Sequence, residues 1–303
     1  MSISLLKPIV RHQDLTWISI MPEPTNVSLV DALLPEDLII AIVELAAQER
    51  TTAVSLALVS KAVGRMAEIL LYKSIFLQSP TSVRAFTATL RTKSRPVLAK
   101  VAELTLTQPA PRDLNDFSDL WALVGQWCPH IVRLTLSTAD IDAIHPTRLQ
   151  PCHMTLHFND WSYQYTIAFN QTDPSSGPWN HVTHLCLHDH PPNVLVPLLE
   201  AGAFPRLTHF SCYMGVQHHH TNVVSYGAIL RLLMLHTLQV CLVLGGYLEG
   251  SIFTNMFLQG MPHGDKRLVV FLADVTNELP DSDAPYWELA EKTIAARRGT
   301  AKQ

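Results

Sequence analysis

The order of residues predicts an α/β chain: a small three-helix unit, then an irregular solenoid of strands and helices, then one closing helix. Three observations carry this reading. Apolar residues recur at helical spacing in short segments between Leu34 and Leu71. Farther on, a strand-like pattern returns several times with a fixed internal spacing. An amphipathic stretch, Pro285 to Arg298, closes the chain. The 303 residues therefore divide into a loose lead-in (1–30), a helical unit (31–77), a repeat array (78–283) and a C-terminal helix and tail (284–303).

In the helical unit, Pro35 suits a first helical turn, where its missing N–H costs nothing. Glu36 and Asp37 follow, and acids favour a helix N-terminus. Leu38, Ile39, Ile42, Val43, Leu45 and Ala46 then form a broad apolar face at 3–4 spacing. Thr51 or Thr52 is expected to cap a second short helix ending near Leu58. A third, Ser60 to Leu71, carries Val63, Met66, Ala67, Leu70 and Leu71 as one stripe. Three helices in so few residues make a core too small to stand alone without a partner or an attached domain.

In the array, an apolar residue is followed by two others, an apolar, one other and an apolar. The copies are Val101-x2-Leu104-x-Leu106, Ile131-x2-Leu134-x-Leu136, Val182-x2-Leu185-x-Leu187 and Leu207-x2-Phe210-x-Cys212. Met154-x-Leu156-x-Phe158 is a degenerate copy in the longest gap, and weaker ones lie at Leu238 to Val243 and Leu268 to Ala273. Each alternates like a half-buried strand. Helical stretches precede several of them: Phe117 to Cys128, Val194 to Ala201 and Val223 to Leu235. This is a leucine-rich-repeat-like α/β solenoid, whose units bury their apolar faces against neighbours. A doubly wound sheet also alternates strand and helix. It is disfavoured because the internal spacing is fixed and no Gly-rich phosphate loop follows a strand. In the closing helix Trp287, Ala290 and Ile294 share a face, and Glu288 precedes Lys292 by one turn. The helix is expected to cap the end of the array, with Lys292, Arg297 and Arg298 complementing its dipole.

Composition narrows the function. Charged residues are 16% of the chain, against roughly 25% in an average globular protein, so a disordered tail or basic nucleic-acid binder is not expected. The net charge is −4, which gives no field to draw phosphate or anionic lipid. The richest apolar run, Ile229 to Leu244, is broken by Arg231, His236 and Gln239, short of the ~20 residues of a membrane span. The first residues show no signal-peptide core. The five cysteines are widely spaced, with no CxxC, and read as reduced thiols in an intracellular protein of cytoplasm or nucleus. There is no Walker loop, GxSxG elbow or HExxH. Neither catalysis, nor a cofactor, nor a metal is expected.

Leu34-Pro35-Glu36-Asp37-Leu38-Ile39, Ser55-Leu56-Ala57-Leu58-Val59-Ser60-Lys61 and Leu70-Leu71-Tyr72-Lys73-Ser74-Ile75 together resemble an F-box, in order and spacing, over about 45 residues. Where many F-boxes carry a tryptophan, this chain reads Ala62-Val63-Gly64-Arg65. The remainder is similar to fungal F-box proteins with divergent leucine-rich repeats, which often close with an aromatic-rich helix like Tyr286-Trp287-Glu288-Leu289-Ala290-Glu291. The resemblance implies a substrate adaptor: the F-box docks on a Skp1-type subunit of a cullin ubiquitin ligase, and the repeats hold a protein target. Leu34, Pro35, Leu38, Ile39, Ile42, Leu56, Leu58, Val59 and Tyr72 are more apolar surface than three short helices hide, and helix-in-groove docking would cover it. The alternative is an interaction scaffold outside the ubiquitin system that keeps an F-box-like cap.

The fifteen histidines are the oddity. If Leu185 and Leu187 point inward, His184, Cys186 and His188 face outward. His209, Ser211 and Tyr213 take the same places in the next copy, and His153, Thr155 and His157 in the degenerate one. Adjacent strands lie about 4.8 Å apart, so His153, His184 and His209 are expected to align as a column. Such a column is suited to zinc or to a pH response, but an ordinary recognition surface is the preferred reading. The surface residues are Glu103, Thr105, Arg133, Thr135, His184, His188, His209 and Tyr213, a nearly uncharged set that fits a protein target. His218-His219-His220 reads as a loop tract.

Overall fold

A computed structural model describes residues 35–47, 49–93, 95–106, 116–137, 144, 149–157, 178–188, 195, 199–200, 202–214, 222–247, 264–274 and 284–299. Helices α1 (Glu36–Ala46), α2 (Arg50–Leu56) and α3 (Lys61–Lys73) come first. Pro35 sits just outside α1, and its carbonyl accepts the Leu38 and Ile39 amides at 3.0 and 3.2 Å. α2 starts and ends earlier than its threonines predict. Thr51 and Thr52 lie inside the helix and donate to Glu49, the residue before it. Ser60 caps α3 by accepting the Val63 amide at 3.2 Å.

Among the described residues eight strands follow: β1 (Ser74–Leu77), β2 (Glu103–Leu106), β3 (Arg133–Ser137), β4 (His153–His157), β5 (His184–His188), β6 (His209–Met214), β7 (Val240–Tyr247) and β8 (Leu268–Asp274). All pair in parallel, in the order of the chain. A doubly wound sheet reverses its order at a switch point, and this one does not. The Met154 segment is a full member, so the gap from Val132 to Thr183 is divided at Cys152. The residue before each strand makes the seam: the carbonyls of Ala102, Val132, Cys152, Thr183 and Thr208 each accept two amides from the next strand's start.

Among the described residues the remaining helices are α4 (Pro80–Thr92), α5 (Arg95–Leu98), α6 (Asp116–Trp127), α7 (Asn222–Met234) and α8 (Ala284–Gly299), with a 3-10 turn at Pro178–His181. The segment 194–201 lies mostly outside the described residues. One apolar core holds the sheet to α4, α6 and α7. It runs from Leu77 through the inward rows, such as Leu104–Leu134–Met154–Leu185–Phe210–Cys241, to Leu268. A second, smaller core lies on the other face of the sheet. There Val240, Leu242, Leu244 and Val269 pack against Ala290 and Ile294 of α8. The closing helix therefore lies across the face of β7 and β8 and does not cap the end of the array. The reason is the outward row of β7, which is apolar where the earlier strands are polar.

Candidate functional site

The outward row at the strand starts reads Ser74, Glu103, Arg133, His153, His184, His209 and Val240 in register. Its first half is a chain of polar contacts. Ser74 Oγ donates to Glu103 Oε2 at 2.8 Å, and Arg133 Nη1 pairs with Glu103 Oε1 at 2.8 Å. Its second half is the expected column. The rings of His153 and His184 stack with centroids 4.1 Å apart, and those of His184 and His209 at 4.2 Å. Four residues along, His157 and His188 stack at 4.7 Å. Parallel pairing without a register shift places identical residue types over one another, and the strand spacing is close to the stacking distance.

The side of the column away from Arg133 is closed by α8. Trp287 stands edge-on to His184 and His209, at 5.8 and 5.6 Å and 87° to both. Glu291 Oε1 lies 3.0 Å from His209 Nε2. At the base of the rings, Thr183 Oγ1 lies 2.9 Å from His184 Nδ1 and Thr208 Oγ1 2.8 Å from His209 Nδ1. Burial is the main influence on all three imidazoles, and it favours the neutral form. It pushes His184 down to about 3, with His153 and His209 adding their charge. His153 is lowered by burial, then by Arg133 and His209. His209 is lowered by burial, against the opposing pull of Glu291.

The column does not converge on a point. Face-to-face rings send their in-plane nitrogen lone pairs out side by side, whereas a metal needs them aimed together. Among the described residues no three His, Cys, Asp or Glu side chains are grouped to hold an ion. His218-His219-His220 lies outside the described residues. Burial also raises the thiols of Cys128 and Cys241 to about 12 and Cys212 well above its ordinary value. These cysteines are not thiolates at neutral pH.

The outward surface is smaller than the alternation predicts. Arg133 is exposed, and Glu103, Thr105, Thr135, His184 and His188 are half-buried on the β2–β5 face. His209 is only 7% exposed, and Tyr213 packs into the second core. Both lie under α8 and are not part of an open surface. Cys186 and Ser211 are likewise buried. The missed participants are Thr183, Thr208, Trp287 and Glu291. A signal for the first two stands in the sequence, since Thr precedes His at both strand starts.

On the helical unit, Leu34 lies outside the described residues. Pro35 and Leu38 are exposed, with Ile42 at 50%, Leu58 at 85% and Val59 at 68%. Ile39 and Leu56 are half-buried. Tyr72 packs against the main core, with Lys93 Nζ 5.9 Å from its ring centre. No helix among the described residues is long and apolar enough to cross a membrane. Compared with family models, with curated proteins and with solved structures, the chain matches none.

Proposed function

We propose that this chain is a non-catalytic adaptor: α1–α3 form an F-box that docks on a Skp1-type subunit of a cullin ubiquitin ligase, and the outward face of a leucine-rich-repeat-like solenoid holds a protein target. The observation that carries the reading is the surplus of exposed apolar side chains on the small helical unit, with Leu58 and Val59 adjoining at the turn between α2 and α3. An isolated exposed leucine means nothing, but a cluster on so small a unit marks a docking site. The β2–β5 face, with its threonines, half-buried histidines and few charges, has the composition of a protein-recognition surface.

The test is co-purification of the full chain with a Skp1-type subunit. Binding is expected for the wild type and a loss of at least tenfold for Leu58→Asp/Val59→Asp. Both side chains are exposed, so the variant's circular dichroism and Tm should match the wild type. Absence of binding by the wild type, or undiminished binding by a folded variant, overturns the assignment. One observation favours the scaffold reading instead. α3 runs into β1 without a linker, and Ala102 donates to the Lys73 carbonyl at 2.9 Å. The helical unit thus also serves as the first layer of the array. A wild type that folds, binds other proteins and ignores the Skp1-type subunit would select that reading.

A further inference from the structure

Helix α8 is held on the sheet by an apolar contact, by a second contact at the histidine column, and near its end by Arg297 Nη1, which donates to the Leu268 carbonyl. Ala290 and Ile294 lie on the apolar row of Val240, Leu242, Leu244 and Val269. Trp287 and Glu291 close over His184 and His209. The second contact works with neutral rings. Thr208 Oγ1 has one proton and two acceptors in reach, His209 Nδ1 at 2.8 Å and the Thr183 carbonyl at 3.1 Å. That carbonyl already accepts two backbone amides at 2.9 Å. Given to Nδ1, the hydroxyl proton leaves the ring's own proton on Nε2, where it donates to Glu291. Neutral His209 is then bonded at both nitrogens.

We propose that α8 is an acid-released clamp: protonation of the stacked histidine column lifts the helix and bares the apolar face of β7 and β8. An added proton on the column meets an imidazole 4.1 or 4.2 Å away on each stacked side, and two stacked cations repel. The groups that face the column are few. Arg133 stands at its far end and opposes protonation of His153. Glu103 favours it, but is already paired with Arg133. Among the described residues Glu291 is the one carboxylate over the near end, and it favours protonation of His209. On α8, Glu288 and Lys292 bind each other at 2.7 Å. Val240, next in the row after His209, has no charge to give. The balance is against a proton while the helix is seated, most strongly at His184, beneath Trp287.

The sign follows. A seat that holds imidazoles below their free value of about 6.5 binds fewer protons than the released state. Its strength is whole above that pH and declines as the pH falls toward the seated values. A single imidazole that regains its free value on release favours release about tenfold at pH 5.5 and almost not at all at pH 7.5. The inference does not depend on the adaptor reading, although the bared face would extend the proposed recognition surface.

Hydrogen exchange of the untagged full chain, corrected for intrinsic rates, tests it. Protection of 284–299 is expected to fall about tenfold from pH 7.5 to 5.5, while β2 to β4 keep theirs. His184→Asn, which cannot take up the proton, should reduce the step to under about threefold. An unchanged protection of 284–299 in the wild type, an equal loss throughout the sheet, or a full step in the variant overturns the proposal. If His184→Asn fails to fold, the histidine ring protons of the wild type decide by NMR. His184 should titrate only as α8 protection is lost. A titration near pH 6.5 with α8 still protected overturns it.

Discussion

Ser211 shows how a single residue reports on the packing between α8 and the sheet. It belongs to the outward row between Cys186 and Leu242, where a polar side chain is expected to meet water. Instead it is fully buried, and its hydroxyl has no hydrogen-bond partner among the described residues. An unmet buried hydroxyl costs free energy that its burial does not return. Ser211→Ala removes the hydroxyl and keeps the Cβ that fills the space. The variant is therefore expected to equal or exceed the wild type in stability, by up to about 1 kcal/mol. Urea unfolding measures this, and a loss of more than about 1 kcal/mol would mean that the hydroxyl is satisfied. The same strand carries the opposite case at His209, which is nearly as buried but bonded at both ring nitrogens.

Among the elements, the pair α2–α3 depends on one glycine. A Cβ placed on Gly64 of α3 would sit 2.8 Å from the carbonyl oxygen of Ala57, at the end of α2. That oxygen is backbone and has no rotamer to escape into. Gly64→Ala gains about 1 kcal/mol of helix propensity but forces the helices apart, and overpacking costs about 1–3 kcal/mol. The expected net is a lower Tm by a few degrees. A higher Tm would show that the helices give way without cost. The elements were unevenly legible in the chain. The strands with paired leucines were readable because alternation and burial coincide there, and the column followed because parallel pairing keeps the phase. β1 was missed because four residues with only Ile75 and Leu77 turned inward are indistinguishable from a helix end. Helix α4 had its signal, with Ser79 and Ser82 in a capping box before Val83, Phe86 and Leu90. That signal stood between two stronger patterns. The seat of α8 was out of reach. Its apolar face is visible in sequence, but the row it meets exists only once β7 and β8 are side by side, and Glu291 is 82 residues from His209.

At the scale of the molecule, the strand order makes the protein nearly one-dimensional. Every described strand pairs only with the strands before and after it in the chain, while one apolar core continues from Leu77 to Leu268. In such an array stability is carried by each layer and its two neighbours, so the position of a defect matters as much as its size. Leu77 and Leu187 are comparable losses: both are leucines, buried and inward-facing, and each cut to alanine should cost about 2–5 kcal/mol locally. Leu77 lies on the terminal strand, and its inward neighbour is Leu106 alone. Leu187 lies between Leu156 and Cys212 in mid-array. Leu77→Ala should therefore loosen α3, β1 and α4 and leave β3 to β7 near wild-type protection. Leu187→Ala should weaken both of its seams and lower protection from β3 to β7 together. Hydrogen exchange resolved by segment distinguishes the two patterns. If both variants lose protection evenly over the whole chain, the array unfolds as one unit, and the local account of its stability is wrong.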